Sequence, residues 1–547
     1  MTVMNSKDFS ILIGGAAGQG SRKAGLIIAK IFSSLGYNVF IYDDYQSLIK
    51  GGHSFSLIRI SDKEYNCSKE KIDFLLALDE KTIDEHINNL DNDGILIFNK
   101  DKIENEKGVG IAIETITKEV GGISIMANTA LISGFAKVVS LDFNFLKDVL
   151  EKEISKEIEK NLEIAKKAYD SINPVLKIEK IGENRPLLTG NEALSLGAVK
   201  AGLEIYIAYP MTPATGILNY LGEHSNILTV QLENEIAVIN AGIGSAFAGK
   251  RTMVGTSGGG FALMTEGISL AAMAEVPIVI VNSQRPGPAT GVPTYSGQGD
   301  LLFTLNSGHG DFKRFIFAPG DANESFIWSA KALNLAWKYQ TPSIILIDKN
   351  LSESTFSFNE AEIKKEEPLL WNGNGEYKRY QITENGISPL FFPGGKEIVK
   401  ATSYEHDEMG ISTEDKEVIK QMQEKRLKKF ESMEKEIKSL EAINVYGENL
   451  EKVVICYGSL KGVVKTVCEK LKLKMVQLIV LEPFPEKQVL QALEKSKKIV
   501  CIEASAIGQL SQLLNQYGIK VDDNILKYDG RPFTEEELEI ELKKIYG

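Results

Sequence analysis

Cysteine is scarce in this chain: four in 547 residues, at Cys67, Cys456, Cys468 and Cys501. None forms a CxxC pair, so neither a zinc site nor an iron–sulfur cluster can be read from cysteine sets. Cys456 and Cys501 lie inside the apolar runs VVICYG and KIVCIEA, the setting of buried free thiols in a reducing compartment. No stretch reaches ~18 uninterrupted apolar residues, which excludes a membrane-spanning helix. The opening MTVMNSKDF has no apolar secretion segment. Basic charge is also short, with 62 lysines and arginines against 74 aspartates and glutamates and a net charge of −12. A phosphate backbone would be repelled, so nucleic acid is not an expected partner. Any anionic ligand must be held locally, by helix N-termini or single arginines. No repeat of period 20–50 appears. The expectation is a cytoplasmic protein without membrane or nucleic-acid partners.

What is present is an α/β pattern. The composition, 43% hydrophobic and 25% charged, is that of an ordinary globular chain. Its length allows about three or four domains at ~150 residues each. The first region, residues 1–182, offers strands at 9–13, 38–42, 54–60, 73–78 and 94–98, a helix ending near Leu35, and a long charged helix at 148–172. Pro174 and the polar run 180–185 read as a linker. The second, 183–351, offers strands at 204–209, 228–232, 252–255, 276–281 and 343–347 with helices between, which predicts a parallel sheet with right-handed crossovers. Residues 352–440 read as a connector with a charged helix at 414–438. Its EHDE run, 405–408, reads as a solvated turn rather than a metal site. The third α/β region, 441–547, offers strands at 453–456, 476–480 and 498–502.

Five segments carry chemistry. In IAYPMTPATGI, 207–217, Pro210 and Pro213 stiffen a turn that sets Thr212 and Thr215 past a strand end, where ligands of open α/β sheets bind. The run Gly14-Gly15-Ala16-Ala17-Gly18-Gln19-Gly20, between a strand and a helix, has the form of a phosphate cradle. Gly15, Gly18 and Gly20 space it as GxxGxG, an imperfect dinucleotide fingerprint, although Asp43 or Asp44 follows where a ribose partner would stand. Anion binding, NAD binding and a plain tight turn all remain open there. Gln231-Leu232-Glu233-Asn234-Glu235 heads a helix rich in alanine and glycine, suited to close packing. Glu235 is then a helix-capping acid or a buried carboxylate in need of a partner. Gly258-Gly259-Gly260 follows another strand. Arg285 opens a loop with three prolines, where a fixed guanidinium suits a carboxylate. His309, in Gly308-His309-Gly310-Asp311, reads as a loop histidine bonded to backbone.

YPMTPAT, LENEIAVINAGIGSAFAG and RPGPATGVPT, in that order, resemble the α subunit of 2-oxoacid:ferredoxin oxidoreductases, whose first motif usually reads YPITPST. Met211 and Ala214 depart from it conservatively. LEPFP, 481–485, and the last region are similar to that family's transketolase C-terminal-like domain. GGAAGQG and YQSLIKGGHSFSLIRIS resemble its γ subunit, so the chain is similar to a γ–α fusion. The resemblance implies oxidative decarboxylation of a 2-oxoacid on thiamine diphosphate. Acyl-CoA is released and electrons pass to a [4Fe–4S] cluster and ferredoxin. It implies that Glu235 meets N1′ of the aminopyrimidine, with Tyr209 and Pro210 beside the cofactor. Thr212 lies near the substrate carbonyl and Arg285 takes the carboxylate. Residues 1–182 would handle coenzyme A, for which Gly15, Gly18 and Gly20 are the candidates, and 183–351 would be the pyrimidine-binding domain. The GDG motif that holds Mg2+ and pyrophosphate in the family's β subunit is absent here, as are cluster cysteines. The Mg2+ and the cluster are therefore expected on a β-subunit partner, and no metal on this chain. Fused chains of this type point to 2-oxoglutarate. An NAD-dependent dehydrogenase and a non-catalytic CoA-binding subunit are the alternatives.

Overall fold

The structure, a computed structural model, describes residues 2–3, 7–46, 52–105 and 107–547. Residues 47–51 of the YQSLIKGGHSFSLIRIS motif lie outside them. Three large sheets and one two-stranded sheet, Thr2–Val3 paired with Leu176–Lys177, are formed among the described residues. The first has eight strands in the order Val109–Ile111, Leu90–Asn99, Ile72–Ala77, Asp8–Ala16, His53–Ser61, Asn38–Tyr45, Thr355–Ser357 and Leu187–Thr189. Asp8–Ala16 runs parallel to Ile72–Ala77 but antiparallel to His53–Ser61. His53–Ser61 in turn separates it from Asn38–Tyr45. The helix Ser21–Ser34 thus does not link adjacent parallel strands, as a dinucleotide-binding unit would require. The strand also runs further than expected. Gly14 and Gly15 pair with Phe55 and Ser54, so the free loop is only 17–20.

The second sheet orders Leu228–Gln231, Ile205–Ala208, Thr252–Thr256, Ile278–Gln284, Pro342–Asp348, Phe315–Phe317 and Val480–Glu482. All pairs are parallel except the last, in which Val480–Glu482 lies antiparallel on Phe315–Phe317. The five strands predicted in this region form a contiguous run from the edge strand Leu228–Gln231 to Pro342–Asp348. The third sheet orders Ile443–Tyr446, Lys474–Leu478, Lys452–Tyr457, Lys498–Glu503 and Asp523–Leu526. Ile207, Val254 and Ile280 share one core with Val453, Val476 and Leu478, so the second and third sheets are packed as one body through the helices between them.

Two expectations are corrected. The long charged helix is two helices, Phe143–Glu153 and Ile158–Asp170. The break lets the first rest on Ser21–Ser34 and the second turn onto Ala127–Val138. The EHDE run is not a solvated turn. His406 is buried with its ring 3.9 Å from that of Tyr380, and Glu405 is paired at 3.0 and 2.5 Å with Arg426 of the helix Lys416–Ser439. Among the described residues no helix is long and apolar enough to cross a membrane.

Candidate active site

The parallel strands of the second sheet end along one edge, and the motif residues stand just past those ends. Ile205–Ala208 runs into the proline turn and then the helix Thr215–Gly222. Leu228–Gln231 leads to Glu235, the first residue of the helix Glu235–Phe247. The Asn234 side chain caps that helix by accepting from the Ala237 N–H at 2.9 Å. Thr252–Thr256 leads directly to Gly258–Met273, so the three glycines open a helix. Ile278–Gln284 ends one residue before Arg285. This carboxyl edge is the ligand-binding side of a parallel α/β sheet.

Burial separates the two acids of the LENE motif. Glu233 is exposed, whereas Glu235 is only 3% exposed and its Oε1 has no hydrogen-bond partner among the described residues. Gly260 makes room for it: a Cβ there would collide with Glu235 Oε1 and Thr256 Oγ1. Thr256 Oγ1 reaches Met211 Sδ of the proline turn at 3.8 Å. Arg285 Nη1 donates to the Thr212 carbonyl at 2.7 Å. Burial lowers the guanidinium pKa from its ordinary value, opposed by the nearby charge of Asp300. The proline turn, the buried acid and the arginine loop are therefore brought together. Tyr209 is 39% exposed at the rim and Pro210 is half-buried beside it.

Sequence reasoning missed Asp300 and Ser257. Burial pushes the Asp300 carboxyl up to about 6, against a hydrogen bond from Asn282 and the charge of Arg285. Asp300 Oδ2 and Ser257 Oγ, like Glu235 Oε1, lack partners among the described residues. Each such atom costs about 1–3 kcal/mol if left unpaired. The only sequence signal for Asp300 was one acid between Gly299 and Leu301, soon after the proline loop. Three orphaned polar atoms at one sheet edge, with a glycine cleared for them, fit a polar heterocycle such as an aminopyrimidine.

The glycine loop of the first sheet faces a separate cavity of about 320 Å³, lined among others by Gly18, Gln19, Lys102, Lys118 and Asn128. Gly18 and Gly20 hold left-handed φ values of 89° and 83°. Gly15 lies inside the strand and is filled against Leu78 and Gln19. Asp43 and Asp44 do not face this cavity as ribose partners. Asp43 accepts from Arg22 and Ser56, and Asp44 from Tyr42 and Tyr295. His309 is exposed, with its backbone N–H on Ser269 Oγ at 2.8 Å. All four cysteines are buried and free.

Known proteins similar to this chain point to one family. A family model described as pyruvate flavodoxin/ferredoxin oxidoreductase, thiamine diP-bdg, matches residues 196–425. Pyruvate ferredoxin/flavodoxin oxidoreductase matches 10–171, and pyruvate:ferredoxin oxidoreductase core domain II matches 451–538. The chain is 34% identical to a 2-oxoacid:ferredoxin oxidoreductase subunit alpha of Sulfolobus sp, over 98% of this chain and 96% of that one. It is 32% identical to the 2-oxoglutarate synthase subunit KorA of Methanocaldococcus jannaschii, over 64% of this chain and 97% of that one. Among solved structures, it is similar to 2-oxoglutarate:ferredoxin oxidoreductase from Magnetococcus marinus with 2-oxoglutarate, coenzyme A and succinyl-CoA bound. The TM-score is 0.89 and the identity 29%, covering 99% of this chain and all of that one.

Proposed function

From the premise that the chain belongs to the 2-oxoacid:ferredoxin oxidoreductase α subunits, we propose that it supplies the aminopyrimidine half of a thiamine diphosphate site and the carboxylate-reading half of a 2-oxoacid site. The observation that carries this reading is the unpartnered Glu235 Oε1 in the hollow that Gly260 clears. The cofactor, when bound, supplies the carbon nucleophile for the substrate's carbonyl. Glu235 Oε1 holds the proton at N1′ of the aminopyrimidine. Arg285, steadied by the Thr212 carbonyl, takes the 2-oxoacid carboxylate through its remaining N–H groups, and the Thr212 hydroxyl donates to the adjacent carbonyl. Tyr209 and Pro210 form the rim of the cofactor site.

The division of labour follows three regions and a connector: 1–182 for coenzyme A, 183–351 for the pyrimidine and substrate, 352–440 as a connecting strap, and 441–547 as a transketolase C-terminal-like domain. The cavity beside Gly18 and Gly20, with Lys102 and Lys118 on its wall, suits the anionic groups of coenzyme A. Mg2+ and the [4Fe–4S] cluster belong to a β subunit, since this chain lacks a GDG motif and cysteine sets. Electrons pass from there to ferredoxin. Substrate preference goes to 2-oxoglutarate, on the likeness to the Magnetococcus enzyme and to KorA.

The test is a panel of 2-oxoacids assayed with coenzyme A and viologen, using this chain alone and together with its β subunit. The chain alone should bind no iron and reduce no viologen. The complex should turn over 2-oxoglutarate fastest. Turnover by the single chain would overturn the half-site reading, and a preference for pyruvate would overturn the substrate assignment.

A further inference from the structure

A second constellation of chemistry-bearing side chains lies on the first sheet, apart from the edge described above. His53 opens the strand His53–Ser61 opposite Ala16, the last residue of Asp8–Ala16. His86 ends the helix Glu80–His86, which Asp79 caps by accepting from the Thr82 N–H at 3.0 Å. The two rings are tilted at 38° to each other, with Nε2 to Nε2 at 2.9 Å. Glu85 Oε2 stands 3.9 Å from His53 Nε2. One ligand atom from each of the three residues lies within 4.8 Å of the other two.

The surroundings hold this arrangement in place. The Phe55 ring stacks on His53 with centroids 5.8 Å apart and meets His86 at 4.7 Å. A Cβ on Gly14 would lie 2.9 Å from His53 Cε1 and 2.7 Å from Thr82 Cγ2. The first glycine of the GGAAGQG run is thus required by the imidazole and the helix cap, not by a ligand in the loop. His53 Nδ1 has no hydrogen-bond partner among the described residues, so the ring is oriented by packing and by the Nε2 contact with His86.

The electrostatics favour a cation. Neutral imidazole is the form that ligates metal. The charges that face the pair are Glu85, Asp79 and Asp44 on one side of the ledger and Lys81 on the other, an excess of negative charge around two inward lone pairs. Two imidazole nitrogens and a carboxylate oxygen are the donor set of a zinc-class divalent ion, with one position left for water.

We propose that His53, His86 and Glu85 bind a zinc-class divalent cation that clips the helix Glu80–His86 to the start of the strand His53–Ser61. The site is independent of the thiamine and 2-oxoacid reading. Its competitor is a proton shared between the two imidazoles with no metal at all.

Equilibrium dialysis and calorimetry on the full-length chain, stripped with a chelator and titrated with Zn2+ or Co2+, decide between them. One equivalent should bind, with Co2+ giving the visible bands of a four-coordinate N/O site. His53→Ala and His86→Ala should each remove that equivalent. Glu85→Gln should weaken binding by at least the ~10-fold that loss of even an outer-shell group costs. His309→Ala, remote and exposed, should bind as wild type. His86→Asn serves as a folded control for the half-buried helix end, checked by circular dichroism, and should also lose the metal. Absence of saturable binding by the wild type, or binding as tight as wild type by either histidine variant, would overturn the site.

Discussion

Glu233 and Glu235 are two residues apart in sequence and on opposite sides of a burial boundary. That boundary follows from the helix start. Asn234 caps, so Glu235 falls in the first turn on the face shared with Val238, Ile239 and Gly242, which are buried. Burial without a partner is what a merely capping acid would avoid. Arg285 and Thr212 are coupled by a direct hydrogen bond, yet their roles separate kinetically. Arg285→Lys keeps the charge and loses the fork, so it should raise KM for every 2-oxoacid by roughly 10–150-fold, the equivalent of about 1.5–3 kcal/mol. Thr212→Val should instead lower kcat, because it removes a donor at the developing charge. Steady-state kinetics on the complex reads both, and unchanged constants for Arg285→Lys would assign the carboxylate to the partner chain.

Asp300 supplies a stability test at the same scale. Its carboxyl ionises near 6 when folded and at its ordinary 3.8 when unfolded. Between those values the folded chain holds the extra proton, so stability falls as pH rises through the window. At 1.36 kcal/mol per pKa unit, the ionised group costs the fold about 3 kcal/mol at most at pH 7. Asp300→Asn should therefore raise Tm at pH 7, and the gain should shrink as pH falls towards 4. Equal gains at both pH values would show that ionisation is not the cause. None of this was legible in the sequence, because burial of one acid depends on how the loop after Arg285 folds back over Gly258. A Cβ on Gly258 would collide with Asp300 Oδ2.

At the scale of elements, periodicity and punctuation carried most of the information. Strand–turn–helix order located Thr212, Glu235 and Arg285 past strand ends because apolar runs and prolines mark those ends locally. The short strands Leu187–Thr189, Thr355–Ser357 and Val480–Glu482 were not legible, since three residues show no period and their pairing is made by distant chain. The helix Lys416–Ser439 read only as a charged helix of the connector, but its Lys425 and Lys429 are buried against Glu275. Burial raises the Glu275 pKa, and the two lysines more than reverse it, holding the carboxyl below the usual range. The stability this contributes is present above the ordinary carboxylate pKa and is lost as pH falls through the lowered one. Glu275→Gln leaves two buried ammonium groups without their counter-charge and should cost about 3–5 kcal/mol, read as a drop in urea midpoint. A change under about 1 kcal/mol would show that the strap is held by its apolar contacts instead, as an exposed pair would be.

At the scale of the whole molecule, sheets that the sequence separates into regions are sewn together. A strand from the second region and one from the connector close the first sheet, and a strand from the third region closes the second. Asp44, Tyr295 and Arg531, one from each region, meet where the Arg531 guanidinium stacks 3.6 Å over the Tyr295 ring and pairs with Asp44 at 3.2 Å. This joint anchors the loop that begins at Arg285, so that loop is held by all three regions. The carboxyl edge of the second sheet is nonetheless rich in polar atoms that lack partners among the described residues, and the sequence carries no GDG motif. The central claim is that Glu235 completes a thiamine site shared with another chain. The most direct measurement is turnover and thiamine diphosphate affinity of the complex reconstituted with Glu235→Gln and, separately, Glu233→Gln. Glu235→Gln should retain the fold and lose ~10²–10⁴-fold in kcat, the range for loss of positioned proton transfer, while Glu233→Gln stays near wild type. An active Glu235→Gln complex beside a dead Glu233→Gln complex would contradict the account.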